Sequence, residues 1–205
     1  MIKRTSKTHI NKIISSKDSW KILDIGCGFN ANKFATVICD VQDLSKHYQN
    51  KNFVRLLDKK LPFADKEFDF VIASHVMEHV EDLELFISEL ERISTKGYIE
   101  LPTKLEDNLV FENKNDHIWQ MDFDDVENKL LINKRIQIFE PILTVFSSKN
   151  LHKFFSKSLI LELMWENNIE YEFIDIDPNR YKKISLLTFI RKYFSKKLRT
   201  IIRKN

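Results

Sequence analysis

The run Lys21-Ile22-Leu23-Asp24-Ile25-Gly26-Cys27-Gly28 constrains this chain more than any other stretch. A short apolar strand carrying one acid runs straight into a Gly-x-Gly turn. Glycine reaches backbone angles that other residues cannot, so such a turn lets the main chain approach a ligand closely. In open α/β sheets, ligands gather at the carboxyl ends of strands of this kind. The chain has only three glycines, and two of them stand in this corner. Glycine is used here where geometry demands it.

The segments that follow repeat the strand signal. Trp20–Ile25, Ala35–Cys39, Phe53–Leu57, Phe68–Ala73 and Gly97–Leu101 are short apolar runs, several rich in β-branched or aromatic residues. Between the last two, Leu83, Phe86, Ile87, Leu90 and Ile93 recur at helical spacing, which predicts a helix over Asp82–Ser94. Asn11–Lys17 and Asn150–Lys157 read as further helices. Strands alternating with helical segments imply right-handed βαβ units and a mostly parallel sheet covered on both faces. Beyond Pro102 the pattern changes. Thr103–Asp116 reads as a polar loop, His117–Asp122 and Lys129–Asn133 as a small hairpin. Leu159–Trp165 and Ile169–Ile176 alternate with period two around Glu166-Asn167-Asn168, a second hairpin signature. With 205 residues and no low-complexity linker, one domain over 1–177 with a tail over 178–205 is expected.

Acids mark the first three strands. Asp24 lies within strand one, Asp40 closes strand two and Asp58 follows strand three. An ionised carboxylate accepts hydrogen bonds on two oxygens, so one at the end of strand two suits both hydroxyls of a ribose. The next can reach an adenine edge, and Asp24 can take turn amides or, through water, an amino-acid moiety.

In these residues the chain resembles the class I S-adenosylmethionine-dependent methyltransferases. The pieces are Leu23-Asp24-Ile25-Gly26-Cys27-Gly28, then Asp40, then Leu61-Pro62-Phe63 with Phe68-Asp69-Phe70-Val71, then Glu78-His79-Val80. The resemblance implies a doubly wound, mostly parallel seven-stranded sheet of the Rossmann-like type whose last strand is antiparallel, in keeping with the C-terminal hairpin. It implies S-adenosylmethionine as cofactor, held by Asp24, Gly26, Cys27, Gly28, Asp40 and Asp58 with Ser74 and His75 beside it. Residues 20–102 would then form the cofactor half and 103–177 the acceptor half. Two departures stand out: Asn30 occupies the place of a third glycine, and the segment from Gly28 to Asp40 leaves room for one or two helical turns at most. His117-Ile118-Trp119 and the compact crossover resemble a subset linked to sugar and cell-surface glycans, which implies a saccharide or similar hydroxyl acceptor. A hydroxyl needs a base to take its proton, and the candidates are His117, then His79, with Glu100 behind them.

Other chemistries were weighed on the same residues. Gly26-x-Gly28-x-x-Ala31 fits a relaxed dinucleotide fingerprint, but its ribose acid should fall about 20 residues on, and Asp40 comes too early. His75-Val76-Met77-Glu78-His79 spells an inverted zinc-peptidase pattern, yet His75 directly follows a buried strand, so no metal is assigned. A methyltransferase-shaped scaffold without turnover stays open through Asn30. Cys27 reads as a small filler. Cys27 and Cys39 form no metal spacing, and with no leader visible a cytoplasmic setting is expected.

Charge divides the chain. From Pro178 onward it has ten lysines and arginines and no acid, so residues 1–177 carry a net charge of −7. Apolar residues thread the basic tail, which suits an anionic membrane face over 180–204. RNA is a second possibility for the tail, with an RNA acceptor as its consequence. A helix packed on the body is a third.

Overall fold

The computed structural model describes residues 1–181 and 183–202. Its strands are β1 (Ile2–Arg4), β2 (Ile22–Ile25), β3 (Val37–Asp40), β4 (Asn52–Arg55), β5 (Phe70–Ser74), β6 (Lys96–Pro102), β7 (Trp119–Asp124), β8 (Lys129–Lys134), β9 (Ile160–Glu166) and β10 (Tyr171–Phe173). Its helices are α1 (Lys7–Ile14), α2 (Leu83–Ile93), α3 (Lys104–Leu109), α4 (Asn113–Asp116), α5 (Val145–Leu159) and α6 (Leu186–Ile202). Seven strands form one sheet in the order β1-β9-β6-β5-β2-β3-β4, with β2 to β6 mutually parallel and β9 antiparallel to β6. This is the Rossmann-like methyltransferase architecture expected from the sequence.

Alternation along each strand sorts the two faces. Leu23, Ile25, Val71, Ala73, Ile99 and Leu101 point one way and pack under Leu83, Ile87 and Leu90 of α2. Ile22, Phe70, Ile72, Tyr98 and Met164 point the other way and meet Ile10 and Ile14 of α1. Gly97 has room for no side chain, because a Cβ there would stand 2.4 Å from the indole of Trp165. Arg92 and Glu89 of α2 clamp the loop below. Glu89 accepts from the Leu61 amide at 2.7 Å, and Arg92 donates to the carbonyls of Phe63 and Leu61 at 2.7 and 3.0 Å. The Leu61-Pro62-Phe63 motif therefore serves packing beneath α2.

Several expectations shift. The first helix begins at Lys7 rather than near Asn11, because Ser6 caps it by accepting from the His9 amide. The crossovers between β2 and β3, β3 and β4, and β4 and β5 carry no helix at all. Thr103–Asp116, expected as a loop, holds α3 and α4, since Thr103 caps α3 through the Glu106 amide. The β7–β8 hairpin forms as expected. The C-terminal reversal also forms, closed by an antiparallel bridge between Glu166 and Asn168. Its return leg then leaves β9: Tyr171–Phe173 lies parallel to β8 in a three-stranded sheet. The physical reason is that the free edge of β9 is already taken. The first strand of the chain, β1, pairs there antiparallel, Ile2 opposite Trp165 and Arg4 opposite Leu163.

In the tail, α6 is helical but not packed on the body. Leu187, Phe189, Phe194 and Leu198 are all exposed. Lys182, Arg203 and Lys204 of the basic set lie outside the described residues. Among the described residues no helix is long and apolar enough to cross a membrane.

Ile2 is fully buried in the core while its neighbour Lys3 is exposed. We expect Ile2→Ala to cost about 2–4 kcal/mol of unfolding free energy, and Lys3→Ala less than about 0.5 kcal/mol, in urea unfolding followed by circular dichroism. Equal values for the two would refute a structural role for β1.

Candidate active site

The glycine corner is built by its neighbours. Gly26 sits at φ +64°, and a Cβ on it would come within 2.5 Å of the Val76 side chain. The end of β5 thus presses on the turn, and only glycine fits. Gly28, at φ +50°, faces open space. Its amide donates to Asp40 Oδ2 at 2.9 Å, while Asp40 Oδ1 accepts from Gln42 N at 2.9 Å. The Tyr48 hydroxyl donates to the Gly28 carbonyl at 2.7 Å and accepts from Ala31 N at 2.9 Å, pinning the loop that replaces a crossover helix. Without that helix, no helix N-terminus faces the turn to hold a pyrophosphate, which removes the dinucleotide alternative.

Beside the turn lies a cleft of about 130 Å³, walled by Asp24, Gly26, Cys27, Asn30, Ser74 and Tyr98 with Lys7 and Ile10 above. Asp24 is 5 % exposed, and its Oδ2 accepts from Asn32 N at 2.7 Å. Burial raises its carboxyl to about 6, against the opposing Asn32 hydrogen bond and the charges of Lys7 and Lys51. Burial, with the nearby charges of Asp24 and Asp40, pushes the Cys27 thiol up to about 12, so it stays protonated and acts as filler.

A second, wider cavity of about 620 Å³ adjoins this cleft through Lys7. Its walls come from the N-terminal segment, from His75 and Glu100 at the ends of β5 and β6, from Glu162, and from His152 and Ser156 of α5. Cross-strand register sets Ser74, Glu100 and Glu162 side by side. Ser74 Oγ donates to Glu100 Oε1 at 2.7 Å, and the Tyr98 hydroxyl bridges Glu100 and Glu162 at 2.6 and 3.0 Å. Lys7 Nζ reaches Glu100 at 3.1 Å, and the Lys7 amide reaches Glu162 at 2.5 Å. Burial pushes the Glu100 carboxyl upward, but Lys7, Tyr98, Ser74 and His75 together outweigh it and hold it below the usual range. His75 sits at φ +56° just past β5. Burial lowers its imidazole, and the Glu78 hydrogen bond with the charges of Glu78, Glu100 and Glu106 carries it above its ordinary value.

Of the residues expected at the cofactor, Asp24, Gly26, Cys27, Ser74 and His75 line the two cavities, and Asp40 and Gly28 are bonded to each other at the lip. Asp58 stands apart from them. Strand β4 ends at Arg55, and the chain then turns outward, leaving Asp58 exposed and in neither wall. Glu100 faces the wider cavity. His117 and His79, the other expected bases, do not line it: their rings pack edge to face at 4.6 Å beside Glu78. His117 Nδ1 meets Asp107 Oδ1 at 2.5 Å, and Asp107 also takes Gln120 at 2.7 Å and Arg135 at 3.1 Å, which holds the ring in that pair. Lys7, Tyr98, Glu162, Tyr48 and His152 were not legible from the sequence. Only the alternation of Tyr98 with Glu100 along β6 placed any of them on the same face.

Residues 23–99 match the family described as a methyltransferase domain. The similarity covers 77 of the 205 residues, from β2 to β6. An uncharacterized protein of Methanocaldococcus jannaschii is 32 % identical over 111 residues, covering 49 % of this chain and 48 % of that protein. The chain thus aligns with about half the length of that curated relative. Among solved structures, a SAM-dependent methyltransferase from Aquifex aeolicus is similar with a TM-score of 0.43 at 13 % identity, covering 77 % of this chain and 87 % of that one. The PH0226 protein from Pyrococcus horikoshii has a TM-score of 0.42 at 18 % identity, with coverage of 79 % and 92 %.

The raised Asp24 carboxyl fixes a pH dependence. The unfolded chain releases this proton near 3.8, the fold near 6. Across that window the folded state holds a proton that the unfolded state has lost, so stability falls as pH rises and stays lower above it. Asp24→Asn keeps an acceptor for the Asn32 amide and removes the charge. We expect its melting temperature to exceed that of the parent at about pH 8, by an amount equivalent to ~2–3 kcal/mol, with the gain fading toward about pH 4. Scanning calorimetry over that range checks it. No gain at high pH would mean that Asp24 is not buried as described.

Proposed function

We propose that the whole chain is an S-adenosylmethionine-dependent methyltransferase that acts on a hydroxyl or similar nucleophile of a saccharide-like acceptor. The observation that carries this is the glycine corner with Asp40 bonded to its amide and a cleft walled by Asp24 alongside. The residues fit the cofactor chemically. Asp40 spends one lone pair of each oxygen on a backbone amide and keeps a second to accept a ribose hydroxyl. Gly28 faces open space, so backbone is the wall there. Asp24 sets a buried carboxylate in the cleft wall, which would face the cationic part of a ligand bound there. When bound, the cofactor supplies a methyl group on sulfur that is already a strong electrophile.

The chain's own residues would then do the positioning. Ser74, Tyr98 and Lys7 hold Glu100 ionised in the wall of the wider cavity, where it can accept a proton or a hydrogen bond from an acceptor hydroxyl. The remaining wall carries the hydroxyls of Thr5, Ser6 and Ser156 and the imidazoles of His75 and His152, with Arg4, Lys157 and Ile160 among them. Such a lining favours a polyhydroxylated acceptor over an apolar one. The exposed apolar side chains of α6, set among Arg191, Lys192, Lys196 and Lys197, would rest on an anionic membrane surface and bring the enzyme near a lipid-linked acceptor.

Two measurements test this. Isothermal titration with S-adenosylhomocysteine should show one site, weakened at least about tenfold, ~1.4 kcal/mol, in Asp40→Ala. Absence of binding in the parent would overturn the cofactor assignment. In vesicle sedimentation, the full chain should bind phosphatidylserine-containing vesicles but not pure phosphatidylcholine. Added salt or the Leu187→Glu/Phe194→Glu pair should release it. Binding to RNA instead, with the same salt response, would move the acceptor to nucleic acid.

A further inference from the structure

Glu78, His79 and His117 each bring a ligand atom within 4.8 Å of the other two. Two of the three side chains are oriented as metal ligands usually are. His117 Nδ1 is engaged by the Asp107 carboxylate, and His79 Nδ1 by the Asp116 carbonyl at 2.9 Å. An imidazole that donates from Nδ1 to an oxygen carries its lone pair on Nε2, the arrangement that raises ligand basicity in metal centres. The third side chain points the same way by default. Glu78 is 1 % exposed, and its Oε2 is buried with no hydrogen-bond partner, while Oε1 is fixed by His75 Nδ1 at 3.2 Å. An orphaned buried carboxylate oxygen is costly unless a ligand satisfies it.

The backbone holds the three together. Ile118 N donates to the Glu78 carbonyl at 2.8 Å, and Trp119 Nε1 donates to the Val80 carbonyl at 2.8 Å. These bonds bind the start of β7 to the short 3-10 turn Met77–His79. The inverted zinc-peptidase pattern in the sequence is therefore split. His75 serves as a support for Glu78, and the second imidazole comes from His117 in the other half of the chain.

We propose that Glu78, His79 and His117 bind one first-row divalent transition-metal ion, of which Zn(II) and Co(II) are the working probes. Two imidazoles and one carboxylate select such an ion over magnesium or calcium. Three protein ligands leave coordination positions open, on the side where His79 is exposed. The ion ties the cofactor half to the acceptor half, so binding it stabilises the folded chain. It stands one side chain behind the wider cavity, through His75, and is not assigned a part in methyl transfer.

The test uses the full chain, stripped with a chelator and titrated with Co(II) under visible spectroscopy, with melting temperature followed in parallel. One equivalent should bind with d–d absorption, be displaced by Zn(II) and raise the melting temperature. His79→Ala and Glu78→Gln should each lose the signal and the thermal gain, and the exposed His9→Ala should keep both. His79 is at the surface and makes no bond to Asp107, so its variant tests the site while His117 keeps its Asp107 partner. No stoichiometric cobalt binding by the parent overturns the proposal, and so does binding undiminished in His79→Ala. S-adenosylhomocysteine titrated into the same samples reports separately on the cofactor cleft.

Discussion

Buried negative charge at one end of one sheet face governs this molecule. Asp24, Glu100 and Glu162 all project from the α1 side of their strands, and two of them are more than nine-tenths buried. Carboxylates so placed are costly unless charge or hydrogen bonds reach them. Lys7, the Tyr98 hydroxyl and the Ser74 hydroxyl do so for the Glu100–Glu162 pair. Asp24 receives one backbone amide, and its raised carboxyl shows that this is insufficient. The N-terminal segment supplies Lys7, roofs both cavities and closes the sheet edge, so its placement and the charge balance of the site are one problem.

The parts legible in the sequence are those whose pattern is local. Five parallel strands announced themselves as apolar runs, α2 as a helical stripe, and the corner through its glycines. Asp40 is legible as a strand-end acid because a run rich in β-branched residues leads directly up to it. Asp58 is less legible because β4 stops at Arg55, and the exposed loop beyond it has no periodicity to locate its side chains. The three-residue β1 is Ile-Lys-Arg, with a single apolar residue, and no local signal distinguishes it from a charged lead-in. Only the free edge of β9, a tertiary fact, makes it a strand. The same occupation sends β10 to β8.

Motif and site also come apart. Leu61-Pro62-Phe63 helped to mark the resemblance, yet its backbone is held by Glu89 and Arg92 under α2, away from both cavities. His117 and His79 were chosen by residue type as bases. Their neighbours decide otherwise, because Asp107 and the Asp116 carbonyl turn the rings toward each other and Glu78. Asp107 lies within a stretch read as loop, so nothing in the pattern tied it to His117. Residue type suggested chemistry there; only packing could say which chemistry.

The β1–β9 pairing has a temporal consequence. During synthesis Ile2–Arg4 leaves the ribosome well before its partner Ile160–Glu166. Until β9 arrives, Lys7 has no Glu162 to bond and the roof of the cleft is unanchored. A nascent chain can thus assemble β2 to β6 and the glycine corner early, yet become able to enclose a ligand only when β1 meets β9.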